Sequence, residues 1–168
     1  MSAQRLLISG GLILAALGMI YGLHYALFIE HQTLDRMGAT LTRAFVAAAD
    51  RNLPDSDAAL MAYTESKYVY VRQVDVHSHW IGLAMLLIAL GAFWKQVAFS
   101  KRIQNWLAIT LLAGALAFPL GVWLQTTMAG RLPSAVAVGG SALIIIDLVL
   151  IIVGFARTSV RSSRVASQ

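Results

Sequence analysis

The chain holds four histidines, at positions 24, 31, 77 and 79, and no cysteine. Disulfides, thiolate metal sites and thiol chemistry are therefore excluded. Two of the histidines sit together in "VDVHSHW", with Asp75 beside them, immediately before a long apolar run. Imidazole is a metal ligand and a proton carrier near neutral pH. His77 and His79 are two residues apart, about 200° on a helix. They point to one centre only if a helix starts between them. A closed zinc site needs three or four ligands, and here only His, Asp and Glu can supply them. Copper held by His24, His77 and Asp75 is one alternative. Haem needs only one or two histidines and an apolar, aromatic-lined cleft. Tyr21, Tyr25, Trp80 and Trp123, with small residues at Gly18 and Gly22, are the side chains that could line it. Histidine, tyrosine and tryptophan also favour membrane interfaces for their mixed polarity, so a cofactor-free reading stays open.

The elements that must position these groups are membrane spans. Of the 168 residues, 58% are hydrophobic and only 12% charged, with a mean hydropathy of +0.71. A soluble domain carries about a quarter charged residues. Four runs, 6–28, 76–94, 103–130 and 132–156, are each long enough for the ~20 residues that a spanning helix needs. They do not alternate as barrel strands would. The first run lacks a small-residue cleavage site before His24, so it is read as a retained span and not a leader. Arg5, Lys95, Lys101, Arg102, Arg157, Arg161 and Arg164 flank one side of these runs with no acid among them. By the positive-inside rule both termini lie inside. The net charge of +5 is concentrated in these flanks, which argues for a lipid surface and against nucleic acid. The expectation is an all-α, four-transmembrane-helix bundle, N-in and C-in, multi-pass in a bacterial inner (cytoplasmic) membrane.

Depth then follows from the ~1.5 Å rise per residue. His24 lies near the outer end of span one, His31 just beyond it, and His77 and His79 at the outer start of span two. All four imidazoles share one layer. The segment 29–75 is a polar insertion in an otherwise single membrane domain, 1–168. Leu34, Met37, Leu41, Phe45 and Ala48 recur at helical spacing. Asn52 can end one helix, and Asp55 or Ser56 can cap the next. The insertion reads as an outer helical hairpin extending spans one and two, with "YVYVRQV" (68–74) as a place where the helix could break. Pro119 is expected to kink span three. "AGRLPS" makes spans three and four antiparallel neighbours, and "AVGGSA" (137–142) permits close helix approach. Asp147, inside span four, is a costly acid that should face the bundle interior. Its readings are a proton relay or a carboxyl bonded to Gln104, Asn105 or Thr110. No nucleotide loop, HExxH or GxSxG occurs.

This arrangement, with "VHS" at the outer mouth of span two and the "FSKR" turn between spans two and three, resembles the styrene oxide isomerases over roughly residues 76–157. The resemblance implies haem b bound by the histidine before the serine, here His77, with Trp80 packed near it. It implies trimers with haem between neighbouring subunits, a small apolar ligand, and ferric iron acting as a Lewis acid that isomerises an epoxide to an aldehyde. The chain departs from the family at three positions. The family's asparagine six residues after the histidine is Leu83, its span-three tyrosine falls at or near Val122, and its glycine after His-Ser is His79. A second axial ligand from His24 or His79 would turn a Lewis acid into an electron carrier or redox sensor. An accessory subunit without cofactor, using the outer hairpin to bind a partner, is the third reading.

Overall fold

The computed structural model describes residues 2–128 and 130–166, and its elements are helical throughout. Helix α1 spans Ala3–Phe28, α2 Glu30–Ala49, α3 Leu53–Phe93, α4 Lys101–Leu124 and α5 Arg131–Ala166, with a 3-10 turn at Trp94–Gln96 after α3. Among the described residues, four helical segments are long and apolar enough to cross a membrane. The protein is thus a four-span helical bundle with a hairpin, α2 and the first half of α3, standing beyond it.

Each start has a local cause. The Ser2 hydroxyl accepts from the Arg5 N–H, Asn52 from Asp55, and Ser100 from Ile103. These side chains satisfy amide groups that have no intrahelical partner. At the hairpin tip, Asn52 N–H bonds back to the Ala47 carbonyl (2.8 Å) and Arg51 N–H to Ala48 (3.0 Å). That is the paired bonding of a Schellman stop, and it needs a left-handed residue. Arg51 supplies it at φ 57°. The sequence placed the stop correctly, and Asn52 proves to be the cap of α3, with Asp55 its donor.

The long α3 contains no break at 68–74. The β-rich composition of that stretch is overridden by packing, with Tyr70 set 6.5 Å from Tyr25 on α1. Between α1 and α2 only Ile29 departs from helical geometry, and Thr33 N–H still bonds to its carbonyl. The hairpin itself closes on small residues. Ala44, Ala47, Ser56 and Ala59 are buried, and the Ser56 hydroxyl donates to the Ala44 carbonyl at 3.1 Å.

Two tight seams build the membrane part. In the first, α1 lies along α3. A Cβ on Gly11 would stand 2.9 Å from the Ala84 carbonyl oxygen, and one on Gly91 would meet Ile8 and Leu7. In the second, α4 lies against α5. A Cβ on Gly140 would stand 2.5 Å from Phe118 N, and one on Gly114 would stand 2.9 Å from the Gly140 carbonyl oxygen. The small residues of span four therefore do permit close approach, through Gly140; Gly139 faces open space. Pro119 is buried inside α4, which runs past it as one helix. The seams join through α4, which also packs on α1 and α3. Leu7, Leu14, Ala84, Leu87, Leu111 and Ile151 fill the space between them.

At the basic end, the link before α4 is pinned to α5 by Ala98 N–H on the Gly154 carbonyl (3.1 Å). The Gln104 amide donates to the Val97 and Phe99 carbonyls at 2.7 and 3.2 Å. Gln104 is thus committed to the link and is not the partner of Asp147; Asn105 is exposed. Asp147 is buried, as expected, with the Thr110 hydroxyl as the side chain that reaches it. Its Oδ2 has no protein partner.

Candidate functional site

The outer half of the α1–α3 seam gathers the chemistry-bearing side chains. Leu14, Gly18, Gly22 and Tyr25 lie on the face of α1 turned to α3, at spacings of four, four and three that return to one side of a helix. His77 fills the space that the missing side chain of Gly22 leaves. Its imidazole lies on Gly22, where an added Cβ would fall inside contact distance of ring atoms Nδ1 and Cε1. Its Nδ1 stands 2.9 Å from the Gly18 carbonyl oxygen. A carbonyl can only accept, so Nδ1 carries the proton and Nε2 keeps the lone pair. A metal-ligating histidine is typically fixed in this way, with the other ring nitrogen donating to a carbonyl or carboxylate. The residue is half-buried. Tautomer and seating leave Nε2 as the ring nitrogen that a metal could take.

Around it lies an aromatic layer. The rings of Tyr21 and Trp80 meet edge to face at 5.4 Å. Both, with Phe118 and Trp123, pack on buried Val76, Val122 and Ala137. The Tyr21 hydroxyl and Trp80 Nε1 are buried with no protein partner, and Thr33 is the side chain that reaches the Tyr25 hydroxyl. Burying such groups unpaired costs about 1–3 kcal/mol each. Two orphaned donors thus lie in residues already singled out by type. Above the layer, the Gln73 amide donates to the Thr126 hydroxyl at 3.3 Å, tying α3 to the end of α4.

The other histidines share the layer but not the centre. His24 is exposed on α1, its ring 5.3 Å from that of Phe28. Two residues beyond Gly22, it points away from α3. His31 is exposed on α2. His79 turns to the opposite side of α3 from His77, as two-residue spacing on an unbroken helix requires. Its ring meets Phe118 edge to face at 4.7 Å, and its Nδ1 lies 2.6 Å from the carbonyl of Asp75 in its own helix. Asp75 itself reaches towards Arg72 at 3.9 Å. Among the described residues no three His, Asp or Glu side chains form a group that could hold a metal ion, so the His24–His77–Asp75 set proposed for copper is not assembled.

Sequence reasoning named Gly18 and Gly22 as small residues of the cleft but not their roles, the Gly18 carbonyl as acceptor and the Gly22 surface as seat of the imidazole. Their signal was present, since two glycines four apart on a span mark a face that something approaches closely. Comparison with protein-family models, with curated proteins and with solved structures finds no match to this chain.

Proposed function

We propose that the chain is a haem b-binding, multi-pass protein of the bacterial inner membrane, with His77 as the axial ligand just below its outer face. The observation that carries this reading is the Nδ1–H bond from His77 to the Gly18 carbonyl, which presents Nε2 as a ligand and holds the ring against rotation. When bound, ferric haem with one open position would supply a Lewis acid able to polarise an epoxide oxygen, as the resemblance to the styrene oxide isomerases implies. The chain's own groups have separable tasks. Gly22 makes room for the imidazole, Gly18 sets its tautomer, and Tyr21, Tyr25 and Trp80 wall the seam.

The open-site reading is favoured over a bis-histidine electron carrier by the directions of the rings. His24 faces outward from α1, and His79 faces Phe118. Neither is turned to the side of α3 that His77 occupies. A small apolar epoxide reaching the iron from the bilayer and self-association of the chain belong to the same proposal.

The test is an absorption spectrum and iron analysis of protein purified from a haem-replete host. A high-spin ferric spectrum is expected. A low-spin bis-histidine spectrum would replace the isomerase reading with electron transfer or redox sensing. A colourless, iron-free preparation that takes up no added haemin would end the haem reading.

A further inference from the structure

We propose that the groove between α3, α4 and α5 holds an anionic phospholipid of the outer leaflet, with its phosphate on Arg72 and one acyl chain between α4 and α5. This proposal is independent of the haem reading, since His77 is turned to α1 and takes no part in the groove.

The groove has a volume of about 360 Å³. Helix α3 contributes Arg72, α4 contributes Phe118, Val122 and Gln125, and α5 contributes Val138 and Ile145. It exists because two backbones press together while the side chains on this side stay short. A Cβ on Gly121 would fall inside contact distance of the Ala137 backbone, so α4 and α5 touch there. The other α5 residues along the groove are Ala137, Ser141 and Ala142, which take up little of the space. At the outer end, the Gln73 amide on the Thr126 hydroxyl holds α3 against the end of α4. Below it, the His79 ring against Phe118 keeps the same two helices in contact.

Polarity changes along the groove as it does along a lipid. The outer end carries Arg72 and Gln125, both half-buried. Among the described residues the acid that approaches Arg72 is Asp75, at 3.9 Å, beyond the ~3.2 Å limit of a hydrogen bond. The guanidinium also lies over the Tyr68 ring, 5.3 Å from its centre, a contact that uses none of its N–H donors. Arg131, Val138 and Ile145 follow one another at seven-residue intervals, close to two turns. Arg131 therefore opens α5 on the face that lines the groove, where the first N–H groups of a helix have no partner within it. Two cations and a helix N-terminus thus meet a single acid at this end. Towards the bilayer interior the groove is apolar and open, with Val138 69% and Ile145 60% exposed.

An anionic phospholipid fits this order by charge and by size. A guanidinium binds phosphate through paired N–H bonds, and a helix N-terminus favours the same anion. A free phosphate would use the outer end alone. The eight residues from Ala137 to Ile145 add ~12 Å of apolar wall, which only a ligand with a tail can cover. A helix of a second copy, ~10 Å across, displaces on the order of 900 Å³ over that length, more than twice the volume of the groove. A zwitterionic headgroup would bring its ammonium beside Arg72 and Arg131, so a headgroup with net negative charge is preferred.

The test uses full-length protein stripped of lipid in detergent and titrated with dioleoyl phosphatidylglycerol, dioleoyl phosphatidylcholine or inorganic phosphate, with bound lipid counted by native mass spectrometry. Saturable retention of phosphatidylglycerol is expected, favoured over phosphatidylcholine about fivefold, the order of one exposed ion pair. Arg72→Ala should weaken it about tenfold or more, as the loss of a hydrogen bond to a charged group does. Val138→Trp leaves Arg72 in place and fills the groove, and should also remove binding. Helix content confirms that each variant is folded, and Arg43→Ala, at the far hairpin tip, should bind like wild type. Retention unchanged in both groove variants, or equal for the two lipids, would overturn the proposal. So would displacement of the lipid by inorganic phosphate, which would leave the tail without a role. A wild type that binds no lipid but self-associates, and loses this in Val138→Trp, would give the groove to a second copy instead.

Discussion

Gly22→Ala puts the seat of His77 under direct strain. An added Cβ would fall within contact distance of two imidazole ring atoms, so the ring must leave its place. Forcing an extra methyl into a packed seam costs typically 1–3 kcal/mol. Loss of the 2.9 Å bond to Gly18 adds about 1 kcal/mol. Alanine regains about 1 kcal/mol of helix propensity, which offsets the lost bond and leaves a net cost of about 1–3 kcal/mol. The effect on the cofactor should exceed the effect on the fold, since losing the group that orients a metal-bound histidine costs about 10–100-fold in affinity. Thermal unfolding in detergent and haemin titration read the two effects separately. Gly18→Ala is the control. It leaves the carbonyl in place, and its added Cβ, 3.0 Å from Ile81 Cδ1 and 3.1 Å from Trp80 Cβ, meets no atom of His77. An alanine at 22 that melts like wild type and takes up haemin with unchanged affinity would refute the reasoning.

Four further outcomes follow from packing. Arg51→Gly removes a left-handed non-glycine residue and should stabilise the hairpin tip by about 0.5–1 kcal/mol, read as slower proteolysis at the tip. Gly140→Ala drives a Cβ towards the Phe118 backbone, which cannot rotate away, so a loss of about 3 kcal/mol is expected in thermal unfolding. Asp147→Leu removes a buried acid with an orphaned oxygen and should be neutral or stabilising in the same assay; a large loss would show that Oδ2 has a partner. Arg43→Ala breaks an exposed ion pair with Asp55 at 2.6 Å, and a change of at most about 1 kcal/mol in urea unfolding is expected.

Much of the architecture could be read from the residues because the bilayer imposes strict rules. Long apolar runs, the shortest of 19 residues and the last holding Asp147, marked the four spans, Asn52 marked the turn of the hairpin, and "AVGGSA" marked the α4–α5 seam. Local composition misled where tertiary contact decides, as at 68–74, where β-favouring residues sit inside a helix held by its neighbours. For the candidate site, height along the helix was legible and azimuth was not. Counting residues put four imidazoles in one layer, but the face each one takes depends on how α1, α3 and α4 are rotated about their axes. That rotation is set by Gly11, Gly18 and Gly22, whose role appears only when the surface they meet is known. The two-residue spacing of His77 and His79 did carry the information that they diverge, once α3 proved continuous through both.

The central claim concerns His77 alone, and the haem-to-protein ratio of alanine variants tests it most directly. His77→Ala, His24→Ala and His79→Ala would be purified side by side, with helix content confirming that each is folded. The expected result is loss of the Soret band in His77→Ala and near wild-type haem content in the other two. Full haem content without His77, or its loss only without His24 or His79, would contradict the account.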